Sequence, residues 1–181
     1  MKIPFVLFFC CLVSECLWAG EFSTVVRGIN TKLVADNYVL NADIDYKLSP
    51  VAKQALQKGI SITWVVAIKV EEKGALWNST LQELAFSYQI QNHALLNLYS
   101  VKSLKSGEKE MISTLTGALD FISKIRDVPI IDRQLVRPEQ RYHVAVKVSF
   151  QHEALPVPMR PFSYFDSQWT LSSRWVLADF P

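Results

Sequence analysis

The chain has 181 residues, of which 50% are apolar and 20% charged, and its formal net charge is +2. A length in this range predicts one domain, and the apolar fraction, with 12% aromatic residues, excludes a disordered chain. Because the charge is almost balanced and no basic cluster is present, the sequence has no electrostatic footprint for nucleic acid.

The first 19 residues are typical of a secretory signal peptide. Lys2 precedes the apolar run 3–13, and the small residue Ala19 ends the segment. We therefore expect residues 1–19 to be a leader, residues 20–181 to be a single domain, and the protein to be periplasmic. An uncleaved N-terminal anchor is the alternative, although a membrane-spanning helix needs about 20 apolar residues.

The cysteines all belong to this leader, at positions 10, 11 and 16. We therefore expect the exported chain to have no disulfide, no thiolate metal ligand and no cysteine nucleophile. No later segment is long and apolar enough to span a bilayer.

Period-two alternation of apolar and polar residues predicts the strands. The clearest strand covers 38–48, where Asn41, Asp43, Asp45 and Lys47 share the polar face. Its expected hairpin partner is 25–34, across a turn that begins at residue 35. The seven predicted strands are 25–34, 38–48, 60–71, 81–92, 95–101, 142–150 and 169–177.

Two segments have the signals of short helices. In 50–59, Ser49 can act as N-cap, Pro50 suits the first helical position, and Gly59 can end the helix. In 114–125, apolar residues recur at helical spacing, with Ser113 or Thr114 as the cap.

Connections of hairpin length favour antiparallel pairing, since parallel strands need long crossovers. The predicted fold is therefore mainly β: an antiparallel two-layer β-sandwich of about seven strands with two short helices at its ends or edges. Three prolines in 154–161 predict an extended connection before the last strand.

The residues needed for catalysis or metal binding are sparse. There is no Gly-x-Ser-x-Gly elbow, and His93, His143 and His152 lack the spacing of a metal site. Asp43 and Asp45 could hold a cation with help, but a solvated sheet face is the commoner reason for such a pair. We expect no catalytic residue, no cofactor, no metal and no enzymatic activity.

The aromatic residues are the more informative group. Trp64, Trp169 and Trp175 fall on apolar strand faces and are predicted to fill the core. Other aromatics lie in or after loops, some beside arginines, and this combination is typical of binding hot spots. The alternative is that these residues cap an open end of the sandwich. The candidate partner-binding residues are Trp77, Arg160, Phe162, Tyr164 and Phe165.

Several segments, in order along the chain, resemble a bacterial family of unknown function, DUF4390. The most specific is the closing Trp169-x-Leu171-Ser172-Ser173-x-Trp175 pattern. Others are Tyr38-x-Leu40, Leu48-Ser49-Pro50, Ala55-Leu56, Gly59, His93-Ala94-Leu95, Tyr99-x-Val101, Thr114-Leu115, Ala118-Leu119, Asp132-Arg133, Leu135, Pro138 and Arg141-Tyr142.

The resemblance implies a small exported protein of Gram-negative bacteria, often encoded beside an NtrY-like sensor histidine kinase. It implies no activity and no catalytic residue. We therefore expect a non-catalytic binding or regulatory module with an envelope protein as partner, the sensor kinase being a candidate. A carrier of lipid or another envelope component, with a cavity between the sheets, is the alternative. A hydrolase is the remaining possibility.

Overall fold

The computed structural model describes residues 22–74 and 76–180. The expected signal peptide, the alternative anchor and the three cysteines lie outside the described residues. Within them the chain forms nine strands and three short α-helices. The strands are β1 Thr24–Val34, β2 Asn37–Tyr46, β3 Ile62–Glu72, β4 Ser79–His93, β5 Leu98–Ser103, β6 Lys109–Ile112, β7 Lys124–Asp132, β8 Tyr142–Phe150 and β9 Val176–Phe180. The helices are α1 Pro50–Gln57, α2 Leu115–Ser123 and α3 Arg160–Phe165.

The strands form two sheets, and neighbouring strands in both are antiparallel. One sheet has the order β1-β2-β7, and the other has the order β6-β5-β4-β3-β8-β9. This confirms the prediction of a mainly β, antiparallel fold with two sheets. Four short 3-10 turns, Arg133–Leu135, His152–Ala154, Val157–Met159 and Ser167–Trp169, supplement the helices.

Two strands, β6 and β7, were not predicted. The four residues of β6 are almost all exposed, so they carry little alternation. Helix α2 ends at Ser123, so the first residues of β7 fall within the predicted second helix, 114–125. Pro129 is tolerated in β7 because β7 lies at a sheet edge, where a missing N–H breaks no ladder.

Helix α1 has the predicted ends. The Ser49 hydroxyl accepts a hydrogen bond from the Ala52 N–H at 3.1 Å, and Pro50 occupies the first turn. Gly59 follows the helix with φ +80°, a left-handed conformation that glycine adopts without strain. For α2, the cap is Thr114, which accepts from the Gly117 N–H at 3.0 Å.

One continuous apolar core fills the space between the sheets. The inward residues of β3 are at most 1% exposed, and Leu40 of β2 faces them from the other sheet. The Trp64 ring packs edge-on against Tyr46 at 5.2 Å between centroids. Burial of this kind stabilises the fold by roughly 1.5–3 kcal/mol for each large side chain.

The predicted last strand, 169–177, is wrong over most of its length, because β9 covers only Val176–Phe180. Residues 170–175 run along β8 without strand pairing. The N–H groups of Val148 and Phe150 donate instead to the hydroxyls of Ser173 and Ser172, at 2.8 and 2.9 Å. These hydroxyls thus replace backbone acceptors at the edge of β8.

The same interruption explains why one core prediction fails. Trp64 and Trp169 are buried as predicted, but Trp175 is 38% exposed. Alternation slips by one residue between Ser173 and Val176, and such a slip moves the following side chains to the opposite face. Trp175 therefore lies on the outer face, with the ammonium groups of Lys69 and Lys147 at 5.4 and 5.8 Å from its ring centroid.

The prediction of an extended connection over 154–161 is also wrong. Its prolines occupy positions in or just before short helices, where a missing N–H costs nothing. The chain therefore coils through two 3-10 turns into α3. Among the described residues, no helix has the length and apolar character needed to cross a membrane.

Candidate functional site

The segment after β8 carries four of the five predicted binding residues on one short helix. Arg160, Phe162, Tyr164 and Phe165 all belong to α3, and all are exposed. We call these four residues the α3 surface. They lie at the end of the larger sheet where β8 finishes and β3 begins, since Phe150 pairs with Trp64.

A buried serine fastens α3 to the body of the protein. Ser163 is 2% exposed, and its hydroxyl donates to the Arg160 carbonyl at 2.8 Å. Nδ1 of His152 lies 2.9 Å from the same oxygen. With the single hydroxyl proton on that carbonyl, the Ser163 oxygen accepts from the Nδ1–H tautomer of His152. The imidazole therefore braces the serine.

Tyr164 adds a second attachment. Its ring stacks on His152 with 4.5 Å between centroids, and its hydroxyl donates to the Glu153 carboxylate at 2.5 Å. This hydrogen bond lowers the pKa of Glu153. Burial lowers the pKa of His152, and the nearby charge of Glu153 opposes that shift. The attachment therefore pairs a carboxylate with a neutral imidazole at neutral pH.

Two phenyl rings remain without such contacts. The Phe162 and Phe165 side chains are 73% and 91% exposed. Beside them, Nε of Arg160 donates to the Leu155 carbonyl at 2.8 Å, which holds the guanidinium in place. The alternative interpretation, that these aromatics cap the open end of the sandwich, does not hold for Phe162 and Phe165, because both side chains are exposed. Leu155 and Trp169 do that instead, at 1% and 3% exposure.

Trp77, the fifth predicted residue, lies elsewhere. It is exposed in the connection between β3 and β4, at the end of β3 marked by the pairing of Glu72 with Tyr142. The opposite end of β3 is close to α3, and the 11 residues of the strand between them span roughly 35 Å. The structure therefore separates Trp77 from the α3 surface.

Each histidine has one polar partner at 2.9 Å: His93 the Ser100 hydroxyl, His143 the Glu71 carboxylate, and His152 the Ser163 hydroxyl. In the parts of the chain that are described, no three His, Cys, Asp or Glu residues are grouped closely enough to hold a metal ion.

The two aspartates considered for a cation site are paired with arginines. Asp45 forms a salt bridge with Arg27 at 2.6 Å, and Asp43 forms one with Arg126. The polar face of β2 is therefore an ion-paired, solvated surface.

Sequence reasoning missed a cleft of about 620 Å³ at the end of the sandwich opposite α3. Its cations are Lys73, Arg133 and Arg141, and its carboxylate is Asp179, which accepts from Lys73 at 2.6 Å. That hydrogen bond lowers the pKa of Asp179. The sequence signal that could have found it was the pair of arginines, Arg133 and Arg141, in the connection after the predicted second helix.

The carrier alternative required a cavity between the sheets. The interior between the sheets is filled by large, buried side chains, as where Trp64 of the larger sheet packs against Tyr46 of the smaller one. The cleft lies at the margin of the sandwich, as does a second cleft of about 610 Å³ between β2 and α2. In this second cleft Lys47 and Lys53 are balanced by Asp45 and Asp120.

Comparison with known proteins gives one assignment. No curated protein and no solved structure was found to be similar to this chain. A family model, described as a domain of unknown function (DUF4390), matches residues 22–179. The match covers almost all of the described chain, so this protein belongs to the DUF4390 family.

Proposed function

We propose that this protein is an exported, non-catalytic binding module that holds an envelope protein through the α3 surface. The observation that carries the proposal is the exposure of Phe162 and Phe165 on a helix that is firmly attached to the core. A helix that only closed the end of the sandwich would turn these rings inward.

The attachment of α3 favours binding for an energetic reason. Ordering a flexible segment on binding costs free energy, and a segment that is already ordered avoids that cost. The hydrogen bonds of Ser163, Tyr164 and Arg160 order α3 in the free protein. The phenyl rings can therefore contribute most of their burial to affinity, as hot-spot aromatics do.

The chemistry of the surface indicates the kind of partner. The rings require apolar pockets, and Arg160, whose terminal nitrogens bond to no described residue, favours a carboxylate beside them. The first candidate is the extracytoplasmic part of an NtrY-like sensor kinase, because the family resemblance implies that the two genes are often neighbours. Such a complex would link the protein to envelope signalling.

The test is binding of the purified extracytoplasmic part of the kinase to the protein and to a Phe162→Ala/Phe165→Ala double variant. We expect the double variant to bind at least about tenfold more weakly, since hot-spot side chains contribute 2 kcal/mol or more. Its Tm should stay within about 2 °C, because exposed side chains contribute little to stability. The matched control is Leu95→Ala, a fully exposed leucine in the turn between β4 and β5.

Two results would overturn the proposal. A large fall in Tm would show that the rings belong to the core, and unchanged affinity would show that the partner docks elsewhere. If the kinase does not bind, a photo-crosslinking residue at position 165, compared with one at 95, identifies the partner in cells. That partner supports the proposal only if the purified protein binds with the same dependence on Phe162 and Phe165.

A further inference from the structure

The cleft at the other end of the molecule is built from parts that are distant in sequence. Tyr38 is the second residue of β2, Tyr142 begins β8, and Phe180 ends β9; together these rings form its aromatic floor. The Phe180 ring lies 5.3 Å from Tyr38 and 5.9 Å from Tyr142, centroid to centroid. The connection between β7 and β8 forms the wall.

Backbone hydrogen bonds fix that wall at several points. The Arg133 N–H donates to the Asp36 carbonyl at 2.8 Å, and the Lys73 N–H donates to the Arg141 carbonyl at 2.8 Å. Between them, the Arg137 N–H donates to the Tyr142 hydroxyl at 2.9 Å. The cleft is therefore already formed in the free protein, as most small-molecule sites are.

The charge that lines the cleft is positive. Lys73 is neutralised by Asp179, but Arg133 and Arg141 pair with no carboxylate among the described residues. Arg137 faces elsewhere, since it pairs with Glu72 at 3.3 Å. Two unpaired guanidinium groups at one cleft are suited to a carboxylate or phosphate. Each guanidinium can bind such an anion through two hydrogen bonds.

The size and the apolar part of the lining favour a ligand larger than a bare inorganic anion. A volume of about 620 Å³ lies within the range of small-molecule pockets, roughly 300–1,000 Å³. Tyr38, Val136 and Pro138 place apolar surface next to the arginines. A ligand that covers this surface must carry an apolar body as well as a charge.

We propose that this cleft binds an amphiphilic anion, with its phosphate or carboxylate on Arg133 and Arg141 and its apolar body along Tyr38, Val136 and Pro138. The site is separate from the α3 surface, and the inference does not depend on the function proposed above. The same chemistry occurs in a free amphiphile and in the headgroup region of an anionic phospholipid, so the experiment has an arm for each.

The experiment measures binding of dodecyl phosphate, below its micelle concentration, by calorimetry. We expect saturable binding that an Arg133→Gln/Arg141→Gln variant weakens at least about tenfold, since the variant removes the charge-assisted hydrogen bonds to the anion. A Val136→Asp variant, which adds a negative charge to the apolar wall, should abolish binding. Arg174→Gln, an exposed arginine beside β9, is the matched control and should bind as the wild type does.

Two further probes separate the explanations. Dodecyltrimethylammonium tests the sign of the charge and should not bind. Vesicles with phosphatidylglycerol test the lipid source: binding that depends on Arg133 and Arg141 assigns the site to membrane lipid, and binding of dodecyl phosphate alone assigns it to a free amphiphile.

The proposal is overturned if dodecyl phosphate does not bind, if the double arginine variant binds it equally well, or if the cationic amphiphile binds with similar affinity. The Phe162→Ala/Phe165→Ala variant should bind dodecyl phosphate normally, which separates this result from the test of the α3 surface.

Discussion

At the scale of single residues, His152 links the stability of the protein to pH. Burial lowers its pKa from the ordinary value of 6.5, while the unfolded chain takes up a proton near 6.5. Above that pH both states are neutral at this site, and no stability is lost. As the pH falls through 6.5, the unfolded state binds the proton first, so the free energy of unfolding decreases until the folded state is also protonated.

We therefore expect His152→Asn, whose amide can still donate to Ser163, to flatten the fall in stability below pH 6.5 relative to the wild type. Urea titrations at a series of pH values measure the difference, and an NMR titration should place the His152 pKa below that of a model histidine. Parallel curves for the two proteins, or an NMR value above the ordinary one, would contradict the assignment.

A second residue-scale prediction concerns the serine that replaces a backbone acceptor. Ser173→Ala leaves the buried Val148 N–H without its acceptor at 2.8 Å, and an unsatisfied buried donor costs about 1–3 kcal/mol. Ser87→Ala, a half-buried serine in β4 whose hydroxyl has no hydrogen bond among the described residues, is the control. We expect urea denaturation to show a loss for Ser173→Ala only; equal losses would mean that the hydroxyl contributes nothing specific.

At the scale of elements, the end of α1 depends on one glycine. A Cβ at Gly59 would meet only the Asn92 carbonyl oxygen at 3.8 Å, so space is available, but φ +80° is strained for any other residue. Gly59→Ala should therefore destabilise the protein by about 1–2 kcal/mol. Gly28→Ala, which has open space and no positive φ, should change the free energy of unfolding by less than about 0.5 kcal/mol. Similar values for both would mean that the left-handed turn is not required.

At the scale of the whole molecule, the two sheets depend on each other through their shared core. Leu40 of the smaller sheet is fully buried in the cluster that contains Trp64 of the larger one. Leu40→Ala should cost about 2–5 kcal/mol, and it should shift tryptophan fluorescence and far-UV circular dichroism to the same lower midpoint. Leu33→Ala, in the same sheet but 42% exposed, should cost less than about 1 kcal/mol. Separate midpoints for the two signals would show that the sheets unfold independently.

Local sequence patterns predicted the elements in which each face keeps the same degree of burial from one end to the other. The alternation in β2 and β3 and the caps of α1 depend on neighbouring residues, so both could be predicted. The exposed aromatics of α3 could also be named as candidate binding residues, because residue type alone marks them. Their attachment through His152 and Ser163 could not, since it requires a fold in which a coiled connection returns against the end of β8.

Tertiary structure decided the features that depend on which strands lie side by side and which strand ends meet. The slip of one residue after Ser173, which turned Trp175 outward, is set by hydrogen bonds to β8, 25 residues earlier in the chain. The basic cleft exists because β2, β7, β8 and β9 begin or end at the same edge of the sandwich. The sequence alone determined the β character and the family resemblance, because both depend on short patterns of neighbouring residues. The two surfaces arise from contacts between distant residues, and those contacts form only when the sheets pack.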